Sequence, residues 1–161
     1  MEQPLFRVAE ILDMAIQIEH HGIAFYQACL RSSSGPRIKD VFDYLIAQEH
    51  DHIQTFSAMK SEVAQDSLPE DYPGEMQSYI KAFVSKAVFN SPAEAAQKGA
   101  SIESAAAAVD FAIGFEERSI GFYSEIQPRL RRSEIEKLGK VIAEEHDHIR
   151  QLRQLRKKLS A

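Results

Sequence analysis

The heptapeptide AQEHDHI at residues 47–53 returns as AEEHDHI at 143–149. The repetition extends upstream, where AIQIEHHGIAFY (15–26) matches AIGFEERSIGFY (112–123), pairing Glu19 with Glu116 and Tyr26 with Tyr123. The copies lie 96 residues apart for the heptads and 97 for the upstream segments. A nearly constant offset over two successive segments means that a two-element unit occurs twice, and the fold must accommodate an approximate two-fold axis.

Each of these segments has helical periodicity. Apolar residues recur at i, i+3, i+4 and i+7 through four long stretches, while two-residue alternation is scarce, so the chain reads as all-α. Helix 1 is expected from about Pro4, which suits a first turn, to the SSSGP break at 32–36; helix 2 from about Arg37 to Gln65. Glu75 to Gly99 reads as one or two shorter helices, with Ser91-Pro92-Ala93-Glu94 as a capping box and Gly99 as a stop. Helix 3 is expected from about Ile102 to Ile126, before Pro128, and helix 4 from the capping box at Ser133 nearly to the end. Short links within each pair make two antiparallel hairpins, and the long connection between them is the crossover of a ferritin-like four-helix bundle. At 161 residues the whole chain, 1–161, is expected to form one domain.

The chemistry lies on the faces that such a bundle buries. At about 100° per residue, Phe42, Leu45, Ile46, His52, Ile53 and Phe56 all fall within about 60° of Glu49. Leu138, Val141, Ile142, Ile149 and Leu152 surround Glu145 and His148 in the same way. Leu12, Ala15, Ile16, Ile23 and Tyr26 surround Glu19, and Val109, Ala112, Ile113, Ile120 and Tyr123 surround Glu116. Four carboxylates and two imidazoles therefore point into one core, with no Lys or Arg on the same turns. Isolated buried carboxylates cost several kcal/mol each unless paired, protonated or bound to metal, and four together also repel.

Two divalent cations would balance the four carboxylates, with neutral imidazoles completing the coordination. Glu-x-x-His sets both side chains one turn apart on a helix, where they can grip one ion. One Glu from each of two helices and Glu-x-x-His from each of the other two is the known ligand pattern of di-iron and di-manganese carboxylate bundles. The candidate metal ligands are thus Glu19, Glu49, His52, Glu116, Glu145 and His148, the alternative being a polar core network. Tyr26 and Tyr123, two turns beyond Glu19 and Glu116, are either core residues, hydrogen-bond partners of the ligand carboxylates, or groups that supply or relay an electron to the cluster. His50, Asp51, His146 and Asp147 turn away from the Glu/His face, and His20 and His21 have no counterparts in Glu117 and Arg118.

On these four segments the chain resembles ferritin-like di-iron proteins of the rubrerythrin group, and the bundle pattern covers nearly its whole length. The resemblance implies two iron ions per chain held by those six residues, with Glu49 and Glu145 as bridges. It implies reaction with peroxide or dioxygen, or oxidation of ferrous iron, and a homodimer. Manganese and zinc suit the same donors. Rubrerythrin itself resembles this unit joined to a cysteine-ligated rubredoxin module. Here Cys29 is the single cysteine, read as a packed helix residue, so the implied electron donor is a separate protein. Rubrerythrin also has a further ligand Glu one turn after the helix 3 ligand, where this chain has Ser119, and its peroxidase-type iron movement is not carried over. The more symmetric set here is similar to the ferroxidase centre of bacterioferritin. The other class of function compatible with the pattern is a non-catalytic metal-binding or partner-binding bundle.

Composition narrows the partners. A net charge of −5 argues against nucleic acid, and the basic residues gathered after Pro128 suit a helix C-terminus. No apolar run reaches the roughly 18 residues of a membrane span, and the N-terminus lacks a secretory pattern, so a cytoplasmic protein is expected.

Overall fold

The structure, a computed structural model, describes residues 6–32, 36–63 and 91–160. It contains α1 (Val8–Ser32), α2 (Pro36–Val63), a short α3 (Pro92–Ala100), α4 (Ala105–Ile126) and α5 (Arg132–Ser160), with a 3₁₀ turn at Gln127–Arg129. There is no strand among the described residues, only an isolated bridge from Phe6 to Leu130. The architecture is the all-α bundle of two hairpins. Lys60 near the end of α2 pairs with Asp13 near the start of α1, and Arg156 near the end of α5 pairs with Asp110 near the start of α4. Both hairpins are therefore antiparallel.

Several helix ends differ from the sequence expectation, and each shift has a capping cause. The first helix begins at Val8, after a non-helical Phe6 and Arg7, because the Glu10 carboxylate accepts the Arg7 backbone N–H at 2.8 Å and closes the first turn there, while the expected start at Pro4 lies outside the described residues. The third long helix begins at Ala105, three residues after Ile102, because the Ser104 hydroxyl accepts from the Ala107 amide at 3.1 Å. The last begins at Arg132, with the carbonyl of Arg131 taking the Glu134 and Ile135 amides, so Ser133 lies inside the helix and is not its cap. Ser91 does cap α3 as expected, accepting from Glu94 at 3.1 Å. The expected helical segment before Ser91 and the Gln65 helix end lie outside the described residues.

Gly99 does not stop α3, which runs on to Ala100 with Ser101 beyond it. Its role is close approach. A Cβ at this position would collide with the Phe25 carbonyl oxygen and press on Ala28 and the Cys29 amide. Only a glycine lets α3 lie directly on the backbone of α1. Cys29 is buried beneath it, and burial pushes its thiol up to about 12.

Close backbone approaches concentrate within each hairpin and between α1 and α3, and far fewer cross from one hairpin to the other. The seam between hairpins is filled by side chains. Phe42, Leu45, Phe56, Val109, Ala112, Leu138, Val141 and Leu152 are fully buried there and along the adjoining faces, and Phe25 stacks on Phe111 at 4.3 Å between ring centres. The polar residues in question sit in the middle of this seam.

Candidate metal centre

All six acid and histidine positions come together. Glu19, Glu49, Glu116 and Glu145 have no exposed surface, His148 has 1% and His52 has 7%. His52 Nδ1 lies 3.5 Å from Glu19 Oε2, 3.6 Å from Glu145 Oε2 and 3.9 Å from Glu49 Oε2. His148 Nδ1 lies 2.7 Å from Glu116 Oε1, and the two imidazole rings are 4.6 Å apart, edge to face. His50, Asp51, His146 and Asp147 are exposed, as is His20, while His21 is half-buried against the α3 side.

The helices explain the convergence. Glu49 and His52 are three residues apart in α2, and Glu145 and His148 three apart in α5, so each pair leaves its helix on one face. Glu19 and Glu116 occupy the matching positions of α1 and α4. One turn beyond them stand the small residues Gly22 and Ser119, repeat counterparts that sequence reading did not pair. A Cβ on Gly22 would lie 3.6 Å from the Glu49 carboxyl carbon and from the Phe115 ring. Ser119 is buried, and its hydroxyl donates to the Phe115 carbonyl at 3.1 Å. It is thus tied back to its own helix.

The donor atoms are close, yet they do not satisfy one another. All eight oxygens of the four carboxylates, both His148 nitrogens and His52 Nδ1 lack a hydrogen-bond partner among the described residues. Glu116 and His148 are within hydrogen-bond distance but out of alignment, since neither of the facing atoms is satisfied. None of the four carboxylates forms an ion pair with Lys or Arg among the described residues. Buried polar atoms are nearly always satisfied, so a cluster of this size is anomalous as a packing solution.

As a coordination shell it is not anomalous. Donor atoms bound at about 2.1 Å to one cation sit roughly 3.0–3.4 Å from one another in octahedral or tetrahedral arrangements. The contacts of 2.7–3.9 Å bracket that spacing. Two groups have donor atoms all within 4.8 Å of one another: Glu49, His52, Glu116 and His148; and Glu19, His52 and Glu145. Each is able to hold a metal ion. The groups do not follow the hairpins: Glu49 joins Glu116 and His148 of the second hairpin, and Glu145 joins Glu19 and His52 of the first. His52 belongs to both.

Without a metal the site must hold protons. Burial, followed by repulsion from neighbouring carboxylates, raises Glu19, Glu49 and Glu145 well above the usual carboxylate range and takes Glu116 to about 8. His148 is driven to about 3 by burial and by His52. For His52, burial pulls downward, but the charges of Glu145, Glu49, Glu116 and Glu144 together carry it above its ordinary value.

Tyr26 and Tyr123 are fully buried. Burial first, and then the nearby carboxylates, push both phenols well up, so they remain protonated. The Tyr123 hydroxyl has no hydrogen-bond partner among the described residues. Elsewhere, the basic run of α5 is partly paired with α4: Arg153 with Glu117 at 3.3 Å and Arg156 with Asp110 at 2.8 Å. No helix among the described residues is long and apolar enough to cross a membrane.

Comparison with curated proteins and with solved structures gives no match. The family model described as Rubrerythrin matches residues 10–155, a span that covers most of both hairpins and every residue of the metal-capable clusters. The chain belongs to the rubrerythrin family.

Proposed function

We propose that the protein is a di-iron carboxylate oxidoreductase. In this reading Glu19, Glu49, His52, Glu116, Glu145 and His148 hold two iron ions, at which peroxide or dioxygen is reduced or ferrous iron is oxidised. One observation carries it: eight buried carboxylate oxygens converge with two imidazoles, and none finds a partner among the described residues. Two divalent ions remove the charge and the unsatisfied donors together. Bound iron would supply the redox electrons.

The chain contributes placement and a dry enclosure. Glu49 and Glu145 are each grouped with residues of the opposite hairpin, and His52 belongs to both groups, so the ligands would tie the two hairpins together. Phe56, Leu45, Val109 and Leu138 keep bulk water from the surroundings. Tyr26 and Tyr123 each keep a proton in reach of the carboxylate field and can donate it as a hydrogen bond. Electrons for repeated turnover come from outside these residues, because one cysteine cannot build a cysteine-ligated carrier within them.

Anaerobic loading with Fe(II) should give two irons per chain, and peroxide should then oxidise them, visible as near-ultraviolet absorbance. Stoichiometry well below two with no oxidation would sink the reading. The double variant Glu49→Ala with Glu145→Ala should lose most of the bound metal; unchanged stoichiometry would remove these residues from the ligand set. Carboxylate and imidazole also suit zinc and manganese. Tight zinc occupancy without redox turnover, identified by anomalous scattering at the metal edges, would establish a non-catalytic metal-binding bundle instead.

A further inference from the structure

The two heptads differ at one position, where Gln48 in the first copy stands against Glu144 in the second. Contacts across the seam locate that difference. The Tyr44 hydroxyl donates to Gln151 Oε1 at 3.1 Å, and His52 Nδ1 lies 3.6 Å from Glu145 Oε2. Rising along α2 thus means descending along α5, so the helices cross antiparallel. Glu144 consequently lies at the His52 end of the site, where its charge acts on that imidazole. Gln48 lies at the His148 end.

Solvent reaches those ends unequally. His52 keeps 7% of its surface exposed, against 1% for His148 and none for the four carboxylates. Glu144 is exposed, whereas Gln48 is half-buried. One turn outward from Gln48, the hydrogen-bonded Tyr44 and Gln151 span the two helices. Their repeat counterparts at the other end are Lys140 and Thr55, which make no such bridge among the described residues, and the ring beside His52 is the buried Phe56, 5.6 Å away between ring centres. Two ends that the repeat makes equivalent therefore differ in charge and in access.

We propose that divalent cations reach the buried site at the His52 end, guided by the Glu144 carboxylate, and that the His148 end is closed to them. This rests on the reading that the six residues hold metal. An exposed carboxylate beside the one solvent-touching ligand raises the local concentration of a dication just where a donor atom is waiting. Lys140, exposed one turn earlier on α5, opposes it, so replacing Glu144 leaves that positive charge unbalanced.

The test is stopped-flow uptake of Co(II) by the metal-free protein, with saturating stoichiometry measured separately. Glu144→Gln, which makes the two heptads identical at this position, should slow uptake roughly three- to tenfold at low ionic strength. The difference should shrink as salt shortens the screening length, with the number of ions bound at saturation unchanged. Gln48→Glu should leave the rate near that of the parent. Equal rates for Glu144→Gln and a parent that binds Co(II) would overturn the access route and leave the metal site standing. So would acceleration by Gln48→Glu as large as the slowing by Glu144→Gln, since net charge alone would then account for both. A parent that binds no Co(II), Fe(II) or Zn(II) would overturn the site, and the route with it.

Discussion

The Tyr123 hydroxyl is buried without a hydrogen-bond partner among the described residues, so in the metal-free protein it carries a desolvation cost with no return. Tyr123→Phe is expected to leave the metal-free melting temperature unchanged or to raise it. A loss of more than about 1 kcal/mol in urea denaturation would show that the hydroxyl is satisfied in solution. At this level the sequence was informative for residues whose direction is set by their own helix. Three-residue spacing sends Glu49 and His52 inward together and turns His50 and Asp51 out, and the structure has the same division. It was silent on Gly22 and Glu144. What these two face is decided by Phe115 and Glu49 in the first case, and by His52 across the seam in the second, and no periodicity within one helix encodes a neighbour.

Among the helices, α3 is the one whose position depends on a single missing atom. Gly99→Ala gains up to about 1 kcal/mol of helix propensity but drives a methyl group into the Phe25 carbonyl oxygen, which cannot move without distorting α1. Net destabilisation of about 1–3 kcal/mol is expected from the overpacking. Gly121→Ala is the matched control: it lies exposed within α4 with nothing within 4 Å of the added methyl, and should stabilise by up to about 1 kcal/mol. Urea denaturation of the two variants should move in opposite directions, and a shared sign would contradict this account of Gly99. The existence and order of the long helices were legible because apolar periodicity persists over many turns. Their ends were not, because capping is chosen among nearby polar groups. Glu10 closes on Arg7, and Ser104 closes on Ala107, where sequence patterns had favoured Pro4 and Ile102.

For the molecule as a whole, the clustered carboxylates set how stability responds to pH. Folded without metal, the chain holds Glu116 protonated to about 8 and displaces Glu19, Glu49 and Glu145 in the same direction, while an unfolded chain releases these protons above about 4.5. The folded form binds more protons between those values, so stability falls as pH rises through that range. His52, raised on folding, also contributes stability that is lost as pH climbs. His148 has the opposite sign but acts only between about 3 and 6.5, where its unfolded imidazole is charged and its folded one is neutral. From pH 6.5 to 8 the metal-free melting temperature should therefore fall, while the stabilisation conferred by metal should grow, because binding expels the same protons. A metal-free melting temperature that held or rose over this range would contradict the protonated cluster. The two-hairpin plan was legible from the repeat; the seam's sparse backbone contact was not, since it reflects what fills the space between the hairpins. That seam has a thermodynamic meaning of its own. With three candidate ligands on each hairpin and both metal-capable groups drawing on both, a bound ion would act as a cross-link between the halves where their backbones seldom meet.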